Sequence, residues 1–294
     1  MASDPNRTQA LFDKIQRISQ TSSGAKPETV HQLRTTIRRI ETLVAAAWRV
    51  PAPREERLLK QLARLCRRAG KVRDLDVQII ALASLRLESI TRDRARVMSF
   101  LQKARARQER KLLAAFEKEV DAGLRKRLKR TSRRMRQQLP QPGELHAAAQ
   151  RFLRAALDRF AAIVKRYPTL TEGNLHEFRM DCKRVRYVAE VAGEGPRVAE
   201  VIEQLKRIQD SIGAWHDWLT LAATAEHVLS HRGQVPLLSA LRASTRSQYL
   251  EALRITADAR RILLEMRETK PQLGKPPSSA GPERPAQKSR AATA

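Results

Sequence analysis

Aromatic residues supply only 4% of this 294-residue chain, and it holds just 11 glycines and 2 cysteines. Few aromatics and no run that alternates apolar with polar side chains leave nothing from which to build a sheet. Two cysteines cannot supply a disulfide framework. Cys66 and Cys182 both fall at apolar positions of helical patterns, where buried thiols in a reducing compartment are expected. No run of about 18 apolar residues is present to cross a bilayer. The opening MASDPNRTQALFDKIQ is polar and then amphipathic, unlike a signal peptide. These features predict a cytoplasmic protein.

Acidic residues are also scarce, 31 against 58 Lys and Arg, giving a formal charge of +27. Self-repulsion of that size opposes a compact state unless counter-charge is near. The expected partner is therefore a polyanion: nucleic acid, polyphosphate or an anionic membrane surface. What the chain has in abundance is Ala, Leu, Arg, Lys, Glu and Gln, all strong helix formers. The expected fold class is all-α.

One pattern occurs twice. Val30 to Ile40, VHQLRTTIRRI, returns as Leu175 to Val185, LHEFRMDCKRV. His31, Arg34, Arg38 and Arg39 match His176, Arg179, Lys183 and Arg184 at a constant offset, a form of H-x-x-R-x-x-x-[RK]-R. On a helix turning about 100° per residue, the His, the first Arg and the second basic residue fall within about 60° of one another and span roughly 10 Å. The result is a cationic ridge. Val30, Leu33, Ile37, Ile40, Leu43 and Val44 occupy an adjacent apolar face, so such a helix packs while keeping its charges together.

A second echo follows each ridge. Leu62 to Asp74, LARLCRRAGKVRD, aligns with Leu205 to Asp217, LKRIQDSIGAWHD. The nearly equal interval between the paired motifs points to two similar units. About four helices per half are expected. In the first half they run from Pro5 to about Gln20, from Glu28 to Trp48, from Glu55 to a stop at Gly70, and then through a helix that Asp74 caps. Thr91 to about Leu139 reads as one extended helix or two, interrupted only by Gly123. Pro140 to Gly143 is the expected boundary, giving units over 1–139 and 140–268. The second half repeats the scheme, with helices over Glu144–Tyr167, around His176, over Arg197–Ile212, near Leu219–His231 and over Val235–Arg267. From 269 to 294 five prolines and almost no large apolar residue predict a disordered basic tail.

Together these motifs resemble the CHAD domain, a family named for its conserved histidines in an all-helical fold. Gly70 to Val77, GKVRDLDV, is close to the family's G-x-x-R-D-L-D-V, and Leu175 to Tyr187 to its L-H-x-x-R-x-x-x-K-R-L-R-Y. Ala69 stands where Leu is usual, and Trp218 to Thr220 replaces L-D-V after the second Asp. The resemblance spans about residues 7–265. It implies two four-helix bundles around a central basic cavity, binding of inorganic polyphosphate, and a place on polyphosphate granules.

The site expected from the ridges comprises His31, Arg34, Arg38 and Arg39 with His176, Arg179, Lys183 and Arg184. Arg64, Arg67, Lys206 and Arg207, on the helices that follow, rank second. A single basic stripe is usually just a solvated face. Two equivalent stripes facing one another would repel strongly unless an anion lies between them. Arginine's fork of donors and permanent charge suit phosphate, while lysine adds a point charge. Four roles stay open to the two histidines: phosphate donor, phosphorylation site, metal ligand or packed structural group.

No catalytic residue, metal or cofactor is expected. His216-Asp217 resembles the paired ligands of helical metal phosphohydrolases, but its repeat partner is Arg73-Asp74, and Arg ligates metals poorly. Relatives of the family can be fused to a triphosphatase barrel with an E-x-E-x-K signature. Glu117-Lys-Glu119-Val-Asp121 matches it only in part and sits in a helical pattern. Polyphosphate or triphosphate hydrolysis is the enzymatic alternative. Nonspecific nucleic-acid binding at low salt is the other, without zinc-ligand spacing, a helix-turn-helix or a stacking platform to make it specific. Nor do the helices carry the aromatic-rich apolar face of a membrane-surface binder.

Overall fold

A computed structural model describes residues 5–20, 26–48, 51–85, 92–137, 145–193, 195–230 and 235–269. Among them every regular element is an α-helix: α1 Pro5–Gln20, α2 Pro27–Ala47, α3 Pro53–Ser84, α4 Arg92–Glu119, α5 Ala122–Gln137, α6 Leu145–Arg166, α7 Leu175–Val191, α8 Pro196–Leu229 and α9 Pro236–Glu268. The all-α expectation holds. None of these helices is long and apolar enough to cross a membrane. The expected boundary at Pro140–Gly143 and the basic tail from 270 onward lie outside the described residues.

Proline opens α2, α3, α8 and α9 at the first helical position, where its missing N–H costs nothing and its fixed φ suits the helix. Helices α1, α2, α3 and α4–α5 correspond in order to α6, α7, α8 and α9. The last member of the first unit is broken at Val120–Asp121, and α5 packs on α1 and α3 as the end of α9 packs on α6 and α8. The break is local chemistry: Asp121 Oδ1 accepts the backbone N–H of Leu124 at 2.5 Å, a side-chain cap for the start of α5.

Two expectations are corrected here. Neither Gly70 nor Gly213 ends a helix, and Asp74 and Asp217 cap nothing. Helices α3 and α8 run straight through all four residues. In the distal part of α3, Leu82 and Leu85 are buried while Ile80 is 57% exposed.

The length of α3 and α8 lets each serve two cores. Phe12, Val30, Leu33, Ile37, Ile40, Leu58, Leu62 and Leu65 anchor a core within the first unit. Phe160, Leu175, Phe178, Val185, Leu205, Ile208 and Trp215 anchor its counterpart in the second. Beyond the glycines, the distal ends of α3 and α8 join α4 and α9 in a third core built from Leu82, Val97, Leu101, Leu221, Leu237 and Leu241. Both halves contribute to that core, so the two units share apolar surface removed from water. Helix α2 also packs directly against α7. These contacts bring the two repeated ridges to the junction of the halves.

Candidate functional site

Each ridge begins on a helix whose opposite face is buried. Val30, Leu33, Ile37 and Ile40 are at most 2% exposed, which fixes the rotation of α2 and turns Arg34 and Arg38 toward its neighbours. On α7, Leu175, Phe178, Cys182 and Val185 do the same for Arg179 and Lys183.

The first arginine of each ridge is tied to the long helix that follows. Arg34 Nη1 donates to the carbonyl of Gly70 and to Asp74 Oδ1, both at 3.2 Å. Arg179 Nε donates to the carbonyl of Gln209 at 2.9 Å. The repeated glycines make room for these guanidiniums. A Cβ on Gly70 would lie 3.4 Å from Arg34 Nη1, and one on Gly213 only 2.9 Å from Arg179 Nη2. The glycine of the second motif therefore admits a close approach across helices that a Cβ would crowd.

Charges from both halves converge at this point. Burial lowers the pKa of Arg179, and Arg34 of the other half lowers it further, with Asp217 and Asp210 opposing. Burial also brings Lys183 down to about 8, with Arg179, Arg38, Arg34 and Arg186 adding to the effect. Arg38 on α2 and Lys183 on α7 both act on Glu41 and on the buried Cys66. Arg38 Nη1 pairs with Glu41 Oε2 at 3.1 Å. Tyr187, raised by burial, is pulled back by Arg186 and Arg38. Arg34, Arg38, Arg179 and Lys183 thus form one cluster across the α2–α7 contact.

The histidines flank it. Burial, Arg73 and Arg34 lower the pKa of His31. His176 stacks on His216, which burial, His176 and Arg179 lower while Asp74 raises it. Burial raises the Asp217 carboxyl to about 6 against the pull of Arg179, Arg73 and Arg34, with Asp74 adding to the rise. Arg73, Asp74, His216 and Asp217 therefore belong to the cluster, a role that reading them as helix-capping turns concealed. Their spacing held the signal: Gly70, Arg73 and Asp74 share a face of any helix that continues through the glycine.

Other expected residues lie apart or are occupied. Arg184, 76% exposed, pairs with Asp181 at 2.6 Å. Arg39 is half-buried and Arg67 exposed. Arg64 holds Glu119 in a two-pronged pair at 2.6 and 2.8 Å. Its repeat partner Arg207 holds Asp258 at 3.0 Å. Both thus tie the third helix of a unit to the one after it. Lys206 lies 3.9 Å from Glu203. Cys66 and Cys182 are buried free thiols. Among the described residues no group of three or more His, Cys, Asp or Glu could hold a metal ion.

Solved structures share this architecture. A crystal structure of the CHAD domain from the plant Ricinus communis superposes with a TM-score of 0.62 at 18% identity, over 92% of this chain and 91% of that one. PptA from Streptomyces chartreusis gives a TM-score of 0.54 at 17% identity, over 90% and 96%. At such identities the likeness speaks to the fold alone. Among curated proteins none matches this chain. The CHAD domain family model matches residues 7–226, three quarters of the sequence, and the chain belongs to the CHAD domain family.

Proposed function

We propose that this protein binds inorganic polyphosphate without cleaving it, between the ridges of α2 and α7, and through that ligand associates with polyphosphate granules in the cytoplasm. The observation that carries the reading is the cluster of Arg34, Arg38, Arg179 and Lys183, so crowded that burial and like charge bring the Lys183 ammonium down to about 8. Glu41, Asp74 and Asp217 offset it only in part. A flexible phosphate chain supplies the missing charge at short, regular intervals, and arginines can grip each unit through paired N–H groups. Tyr187, the aromatic side chain beside these cations, is half-buried with the Arg186 guanidinium over its ring, a poor platform for stacking bases, which favours a phosphate polymer over single-stranded nucleic acid.

The test is a competition at near-physiological salt between long-chain polyphosphate, duplex DNA and RNA, for the native chain and for Arg38→Gln with Lys183→Gln. Polyphosphate should win in the native chain and lose most of its affinity in the variant, while the helical circular dichroism stays unchanged. Equal affinity for the three ligands would mean that bulk charge alone decides. Incubation of the complex with Mg²⁺ or Mn²⁺ should release no phosphate. Steady release would replace binding with hydrolysis.

A further inference from the structure

A second concentration of positive charge lies in the first unit, at the opposite end of α3 from its shared core. Helix α5, AGLRKRLKRTSRRMRQ, carries no acidic residue. It buries Leu124, Leu128 and Met135 against the core, and the cations between them are left on its outer faces. Where α5 runs beside the start of α3, a cavity of about 520 Å³ opens. Arg54 and Arg57 line it from α3, and Lys126, Arg130 and Arg133 from α5. All five are exposed, and among the described residues none has a carboxylate within ion-pair distance.

Two further arginines in the lining are held in place. Arg134 Nη1 donates to Glu55 Oε1 at 3.2 Å, and its guanidinium sits 5.2 Å from the centre of the Trp48 ring. Arg127 Nε donates to Gln61 Oε1 at 2.9 Å, and its Nη2 lies 3.5 Å from Asp121. Glu55 is the one carboxylate in the lining. It is buried, and its Oε2 has no partner. The start of α3 follows Ala52 and has no side-chain cap, so its positive dipole end adds to the field.

We infer that this groove is a second phosphate-polymer site, so that one long chain can engage the α2–α7 cluster and the α3–α5 groove together; this rests on the polyphosphate reading above. The lining is concave and carries no aromatic residue, which fits a narrow, flexible phosphate chain better than a duplex or stacked bases. Helix α3 connects the two sites. From Arg57 to Arg73 it spans about 25 Å along its axis. A short oligophosphate must choose one site, whereas a long chain reaches both and gains from the high effective concentration of its second segment.

The experiment compares the full native chain with a groove variant, R54Q/R57Q/R130Q/R133Q, and with the cluster variant, R38Q/K183Q. Tripolyphosphate and long-chain polyphosphate are titrated calorimetrically, with duplex DNA and RNA alongside. Native protein should take two equivalents of tripolyphosphate and each variant one. Long-chain affinity should fall roughly 10²-fold in the groove variant. The four substituted side chains are exposed and have no ion pair among the described residues, so their loss should leave the circular dichroism and unfolding midpoint as they are. A groove variant with native stoichiometry and native long-chain affinity would overturn the inference. So would one that loses only DNA or RNA, since the groove would then be a nucleic-acid surface. If the cluster variant keeps both equivalents while the groove variant loses one, the groove stands and the α2–α7 reading fails.

Discussion

The imidazole rings of His176 on α7 and His216 on α8 lie 4.8 Å apart, centroid to centroid, and are tilted by 36°. Burial, then His176 and Arg179, lower the pKa of His216, and burial with Arg73 and Arg34 lowers that of His31. A folded value below the unfolded one means the unfolded chain binds more protons, so these histidines make stability rise with pH. Their penalty is absent well above the ordinary value near 6.5 and grows as pH falls through it. A phosphate beside either ring would favour the protonated form and reverse the shift. NMR titration of the free protein should therefore place both histidines below their ordinary value, and saturating polyphosphate should move both upward. Polyphosphate should also raise the unfolding temperature more at pH 6 than at pH 8. Histidine titrations indifferent to polyphosphate would take both rings out of the site.

Lys183 supplies the alkaline counterpart. Its unfolded value is near that of an ordinary lysine, and burial beside Arg179 and Arg38 brings the folded one down to about 8. The unfolded chain again binds more protons in this window, so stability rises with pH from about 8 toward the ordinary lysine range. Ligand binding has the opposite slope, because phosphate needs the ammonium. Polyphosphate affinity should weaken by up to about tenfold per pH unit above 8. Lys183→Arg, whose charge persists, should flatten that limb. Asp217, raised to about 6 by burial, should tighten binding below pH 6 as its negative charge disappears. A profile flat from pH 5 to 9 would leave neither group near the ligand.

The ridges were legible because two independent local signals agreed. The apolar stripe of α2 and α7 has helical period, and its recurrence at a constant offset separated design from composition. The path of α3 and α8 was not legible, since glycine after a helical run is by local rules a terminator. Behind each glycine stands a guanidinium far away in sequence, Arg34 in ordinary contact range of a Cβ at Gly70 and Arg179 closer than a Cβ at Gly213 would allow. Misreading the glycine carried Asp74 and Asp217 with it. The same limit applies to Arg64 and Arg207. Their place after the ridge suggested ligand contact, and their pairing with partners many residues downstream, Glu119 and Asp258, is announced by no local pattern. The third core, shared by distal ends of α3 and α8, is likewise a long-range contact that no local period announces.

The two glycines should respond oppositely to alanine. In a helix interior Gly→Ala ordinarily stabilises by about 1 kcal/mol, because alanine loses less backbone entropy. At Gly70 the added Cβ meets Arg34 at 3.4 Å, an ordinary contact, so Gly70→Ala should keep most of that gain. At Gly213 it meets Arg179 at 2.9 Å, and this guanidinium is anchored to the Gln209 carbonyl. Gly213→Ala should therefore lose the gain, displace Arg179 and weaken polyphosphate binding. Urea unfolding and a polyphosphate titration on both variants decide the matter. A Gly213→Ala protein that is both more stable and fully competent to bind would show that the close approach is incidental.

Arg64 should prove structural, in spite of its place on the helix after the ridge. Its guanidinium grips both oxygens of Glu119, whose side chain is only 8% exposed, and that hydrogen bonding lowers the carboxyl's pKa. For a lowered carboxylate the stabilisation is present above its unfolded value and is lost as pH falls through the folded one. Arg64→Gln removes the charge that compensates a buried carboxylate, at a cost of roughly 1–3 kcal/mol. The loss should be largest near neutral pH and shrink in acid, where Glu119 is protonated in both states. Polyphosphate affinity should stay within about twofold of native, allowing for one fewer surface charge. Arg67→Gln, at an exposed site with no ion pair among the described residues, should change stability by less than about 0.5 kcal/mol. Were Arg64→Gln to leave urea unfolding untouched and abolish polyphosphate binding, Arg64 would be a ligand contact and the pair with Glu119 merely its resting place.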